Sequence, residues 1–87
     1  AEPLWRDPTG TVVLAEVSFH PGWVGVRVKD VEAATGARVA FLNRIGEAIV
    51  PKPGTLLQDG DVLHVVAAER EMEHISKVLS GPPSEEE

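Results

Sequence analysis

The chain has 87 residues and no cysteine, and its 14 acidic and 8 basic side chains give a formal net charge of −6. That length suits one small domain that no disulfide can reinforce, and its net negative charge and scattered basic residues disfavour unaided binding to nucleic acid or anionic lipid, which needs clustered Lys and Arg. No apolar run approaches the roughly 20 residues of a membrane-spanning helix, and the N-terminus lacks a secretion signal, so the expected setting is intracellular.

Residues 1–10, "AEPLWRDPTG", read as a polar connector containing Pro and Gly, and with the alanine start they suggest a linker from a missing upstream domain. From Val12 to Phe19 one alternate set is wholly apolar, Val13, Ala15, Val17 and Phe19, which predicts a half-buried strand. "HPGWVG" breaks that strand. Val24, Val28 and Val31 then recur at i, i+4 and i+7, the spacing of one helix face, and Gly36 stands where a helix-ending glycine belongs.

"ARVAFLN" predicts a second strand, and "EAIV" a third, close enough across Arg44-Ile45-Gly46 to form a hairpin with it. Asp59-Gly60 launches the most apolar strand, "VLHVVA". From Glu69 onward, Met72, Ile75 and Leu79 form the narrow stripe of an amphipathic helix, with acids early and Lys77 late as the helix dipole favours. Gly81 and Pro82-Pro83 end it, and residues 81–87 read as a disordered acidic tail. The order β-α-β-β-β-α over residues 11–80 predicts an α+β domain with a mainly antiparallel four-stranded sheet and two helices.

His20, His64 and His74 lack the i, i+4 spacing of a helical metal pair, and no cysteine completes a zinc set, so no metal is expected. His64 shares its alternate set with Val62 and Val66, which places it on a sheet face. Asp59 and Asp61 flank Gly60 as tight-turn residues do. With no nucleophile motif and no oxyanion-hole motif, the chain reads as non-enzymatic and without catalytic residues. It also lacks the glycine patterns of dinucleotide and phosphate loops; Arg38 and Arg44, bracketing the second strand, are the residues whose guanidinium groups could meet an anion.

With these elements placed, the run from "VVLAEV" through "GWVG", Asn43-Arg44 and "GEAIVPKPGTLLQDGDVLHVV" to the closing helix resembles the C-terminal regulatory domain of TrkA-type potassium-uptake proteins, which is also the C-terminal half of RCK units. The resemblance covers about Val12 to Leu79. It implies a cytoplasmic, ligand-sensing homodimer following a Rossmann-type domain that would bind NAD or ATP. That pair of domains would lie at the inner face of the plasma membrane, against a membrane potassium-translocating subunit whose ion flux it controls. Some members bind cyclic di-AMP in a cleft between two such domains. Here Glu32, Ala33 and Ala34 stand where an arginine is expected, and a carboxylate beside a phosphate disfavours that ligand.

The candidate ligand or dimer cleft comprises Val24, Val28, Val31, Arg38, Asn43 and Arg44. Two further readings remain open. The ending L-x-x-G-D-x-L-x-V also resembles the last hairpin of β-grasp proteins such as sulfur carriers, although this chain continues into a helix and ends without their Gly-Gly tail. The third reading is a protein-interaction module with no small ligand.

Overall fold

The computed structural model describes residues 2–83. Five strands form one antiparallel sheet: β1 (Glu2–Arg6), β2 (Val12–Val17), β3 (Arg38–Arg44), β4 (Glu47–Ile49) and β5 (Val62–Ala68), in the spatial order β1-β2-β5-β3-β4. Two helices, α1 (Val28–Thr35) and α2 (Met72–Ser80), complete it, and α2 is entered through a 3-10 turn at Glu69–Glu71. The fold class is the expected α+β sheet with two helices, and the strand count is five rather than four. β5 takes the centre because it is the most apolar strand, and Leu63 and Val65 are fully covered.

The additional strand is β1, in the segment expected to be a connector. It pairs with β2 through Glu2 opposite Glu16 and Arg6 opposite Val13. Its signal was weak because Pro3 and a bulge at Leu4 break the alternation, and such residues are tolerated only at an edge. The turn into β2 is built by Asp7, whose carboxylate accepts from the backbone N–H of Thr9, Thr11 and Val12 and from the Thr9 hydroxyl. These bonds, led by the Thr9 hydroxyl, hold the Asp7 pKa down at about 2.

One face of the sheet carries the core. Val13, Ala15 and Val17 of β2, Val39 and Leu42 of β3, and Leu63 and Val65 of β5 pack with Val28 and Val31 of α1 and Ile75 and Leu79 of α2. β3 keeps Val39 and Leu42 on the same side only because its register shifts between Val39 and Phe41. The molecule is 19 Å thin, room for the sheet and a single layer of helices, so the opposite sheet face has no layer of its own.

α1 begins at Val28, later than the valine spacing predicts. Pro21–Trp23 form a 3-10 turn instead, and Val24 lies outside either helix. The first α1 amides are satisfied by loop carbonyls, with the Val28 N–H donating to Thr55 at 2.8 Å and the Lys29 N–H to Pro53 at 3.0 Å. Gly36 ends the helix at φ 79°, a left-handed conformation that glycine adopts without strain.

The segment expected as a disordered tail starts out docked. Trp23 is buried and donates its Nε1–H to the Gly81 carbonyl at 2.7 Å, while Pro82 and Pro83 pack close over Gly22. The fixed prolines fit there because Gly22 has no side chain. Residues 84–87 of that expected tail lie outside the described residues.

Candidate functional site

The block Pro51–Val66 is organised by one ion pair. Asp61, its side chain fully buried, accepts from Arg44 Nε at 2.9 Å and Arg44 Nη2 at 2.8 Å, and also from the Gln58 backbone N–H at 2.8 Å. Arg44 Nη2 reaches on to the Leu56 carbonyl at 3.1 Å. The end of β3 is thereby tied to the turn that launches β5. The hydrogen bonds from Arg44 hold the Asp61 carboxyl below the ordinary carboxylate range, assisted by the Gln58 amide and opposed by burial. The same bonds raise the Arg44 pKa.

Arg44 is therefore a poor candidate for holding an anion. Its fork is already occupied by a carboxylate and a carbonyl, in the bidentate geometry a phosphate would need. Gly60 supplies the positive φ of the turn, as the sequence predicts, and Asp61 does more than shape a turn.

The remaining candidates do not converge within one chain. Val28 and Val31 are core residues facing the sheet, so neither offers a surface. Val24 is exposed beside Leu56, where the two loops are cross-linked by Gly25 N–H to the Leu57 carbonyl at 2.8 Å and Leu57 N–H to the Val26 carbonyl at 2.9 Å. Arg38 and Asn43 project from the other side of the sheet, because they pair with Val66 and Val62, which alternate with the core-facing Leu63 and Val65. Arg38 is exposed there and Asn43 is half-buried.

Glu32, read from the sequence as an obstacle to a phosphate, has a structural partner: its carboxylate accepts the Val39 backbone N–H at 2.9 Å, beside the β3 bulge. A carboxylate at this point satisfies an amide that the irregular ladder leaves free.

Among the described residues no group of three His, Cys, Asp or Glu side chains is arranged to hold a metal. His20 Nδ1 accepts from the Gly22 N–H at 2.9 Å and caps the following turn. His64 is 5% exposed and stacks on Phe41 with ring centroids 4.3 Å apart and planes 12° from parallel. Its Nε2 is 4.0 Å from Glu16 Oε1, and its Nδ1 is buried without a hydrogen-bond partner. Sequence reasoning missed the Phe41 contact. Strict alternation places Phe41 with Val39, and the bulge between them moves it to the face of His64.

An open cleft of about 440 Å³ lies between the end of β2 and α2, with Ser18, His20, Ser76 and Ser80 among its lining. It contains none of the residues the sequence proposed.

The TrkA-C domain family model matches residues 12–80. The chain is 48% identical over 86 residues to the Trk system potassium uptake protein TrkA of Streptomyces coelicolor, covering 99% of this chain and 39% of that protein. The chain thus spans about two-fifths of its relative. Among solved structures, the GsuK RCK domain aligns with a TM-score of 0.71 at 18% identity, over 92% of this chain and 18% of the other. The RCK C domain of the potassium transport protein KtrA, in complex with cyclic diadenosine monophosphate, aligns with a TM-score of 0.64 at 22% identity, over 74% of this chain and 79% of the other. At these identities the structural likeness speaks to the fold.

Proposed function

The chain belongs to the TrkA-C domain family, and on that footing we propose that it is the cytoplasmic regulatory domain of a potassium-uptake protein, with chemistry limited to binding. The observation that carries this reading is the family match across residues 12–80 together with the 48% identity to a potassium uptake protein. In this reading the domain acts as a homodimer. Its parent polypeptide supplies an upstream Rossmann-type domain for NAD or ATP, and the assembly lies against a membrane potassium-translocating subunit. No helix among the described residues is long and apolar enough to cross a membrane; in this reading translocation belongs to the membrane subunit.

The mechanism is a shift between arrangements of the assembly. An effector that binds one arrangement more tightly moves the population by its difference in affinity, and the membrane subunit reads the result. An ion pair ties β3 to the turn before β5, and one core is shared by the sheet and both helices, so in this reading the rearrangement falls at contacts between subunits. A cyclic dinucleotide is the effector suggested by the KtrA complex. Of the two candidate arginines, Arg38 has no side-chain partner among the described residues and could meet such a phosphate, whereas Arg44 is engaged with Asp61, and Glu32 is turned to Val39.

The experiment is potassium uptake by cells whose parent protein carries or lacks residues 12–80. Altered uptake or altered effector response on deletion is expected. Unchanged uptake with a stably expressed, truncated parent contradicts the reading.

A further inference from the structure

Strand β2 ends at Val17, and the chain then leaves the sheet through Ser18, Phe19 and His20 to reach the 3-10 turn at Pro21–Trp23. The His20 N–H donates to the Leu79 carbonyl at 2.7 Å, which pins this segment to the last turn of α2. Ser76 and Ser80 stand four residues apart on α2, so both lie on one helix face. Between that face and residues 17–21 runs the open cleft of about 440 Å³. Val17 pairs with Leu63, whereas Arg38 pairs with Val66 further along β5, so the cleft lies toward the other end of the sheet from Arg38.

The polar groups of the lining are the hydroxyls of Ser18, Ser76 and Ser80 and the imidazole of His20, with no carboxylate, ammonium or guanidinium among them. His20 Nδ1 accepts the Gly22 N–H at 2.9 Å, so the neutral ring holds its proton on Nε2 and has a donor there. The Ser80 hydroxyl donates to the Lys77 carbonyl at 2.9 Å and keeps its lone pairs for accepting, while the Ser18 and Ser76 hydroxyls can each do both. An anion is disfavoured, because Ser80 is the last residue of α2 and a helix carries the negative end of its dipole there. Val17, Phe19 and Pro21 add apolar surface that suits the C–H face of a ring. Groups that both donate and accept are best met by a ligand that does the same, and the volume falls within the range of small-molecule sites, about 300 to 1,000 Å³. From this lining we infer that the cleft between β2 and α2 binds an uncharged, hydroxyl-bearing molecule of about monosaccharide size. The inference goes beyond the regulatory reading and does not depend on it.

Two-dimensional NMR of the 87-residue chain tests it, with ribose as the neutral probe and ribose 5-phosphate as its charged counterpart. Ribose at millimolar concentration should shift the amides of residues 18–20 and 76–80 and leave those of Arg38 and Val39 in place. Ribose 5-phosphate should bind more weakly. Ser76→Ala removes one hydroxyl and should weaken ribose binding about fivefold, the worth of one hydrogen bond. Ser76→Leu, at a half-buried position of the lining, fills the cleft and should abolish the shifts, with far-UV circular dichroism showing the variant folded. If Ser76→Leu does not fold, Ser76→Ala decides the matter. The absence of shifts with ribose, binding unchanged in Ser76→Ala, or tighter binding of ribose 5-phosphate overturns the inference. The regulatory reading is tested separately, by the uptake experiment.

Discussion

Replacing Asp61 by Ala removes three accepted hydrogen bonds at once, two from Arg44 and one from the Gln58 amide. It leaves a guanidinium whose side chain is only 21% exposed facing a carbonyl but no carboxylate. Breaking a buried ion pair costs about 3 to 5 kcal/mol, and the partial exposure of Arg44 points to the lower end, about 3 kcal/mol. A domain of this length has roughly 4 to 13 kcal/mol of stability in total, so the loss is a large share of it. The midpoint of thermal unfolding should fall by roughly 12 to 24 °C, followed by circular dichroism at pH 7. Asp59→Ala, at an exposed position of the same turn, is the control and should stay within about 0.5 kcal/mol. Acid supplies a second axis. Because the folded pKa of Asp61 is lowered, its contribution is fully present above the unfolded carboxylate value and is lost as pH falls through the folded one. The difference between wild type and Asp61→Asn should therefore narrow on acidification below about pH 4. Wild-type and Asp61→Ala chains with the same midpoint at pH 7 would refute this account of the junction.

Four further outcomes follow from the same geometry. Val28→Asp, at a position only 3% exposed, should cost several kcal/mol and leave little cooperative unfolding by urea, because it buries a carboxylate against the sheet. Ile45→Asn should stabilise by about 1 kcal/mol in the same assay, since a β-branched residue at φ 51° is strained in the β3–β4 turn and its side chain, 97% exposed, packs on nothing. Trp23→Phe should cost about 1 kcal/mol beyond its packing change by leaving the Gly81 carbonyl without its donor, read as a lower urea midpoint. The Asp7 carboxyl should titrate near its lowered value of about 2 by NMR, and Thr9→Ala should move it upward by removing the largest cause of the shift. Its contribution to folding is present above the unfolded value and fades as pH falls through the folded one.

Most of the fold was legible because core and period coincide. The alternation Val13, Ala15, Val17 and the stripe Met72, Ile75, Leu79 each survive into the packed structure with Ala15, Ile75 and Leu79 buried as their periods require. β1 was hidden because its edge position lets it carry proline and a bulge, which remove the alternation that reveals a strand. The valine set misled for a related reason: Val24, Val28 and Val31 fit one helical face, yet Gly25 at φ 91° interrupts the helix between the first two. The candidate site was less legible still. Arg44 and Asp61 are 17 residues apart and nothing local links them, and the Phe41–His64 stack depends on a one-residue bulge that reverses which side of β3 faces out. The open face emerges only when four strands are set in register, since its apolar residues are spread over β1, β2, β3 and β5.

The most direct test of the claim that this domain's arrangement governs potassium flux is rubidium uptake into vesicles. The vesicles carry the membrane subunit and the parent protein, either full-length or lacking residues 12–80. Altered flux from the truncated parent is the predicted result. Identical flux from both, with the parent protein bound to the vesicles in equal amount, would contradict it.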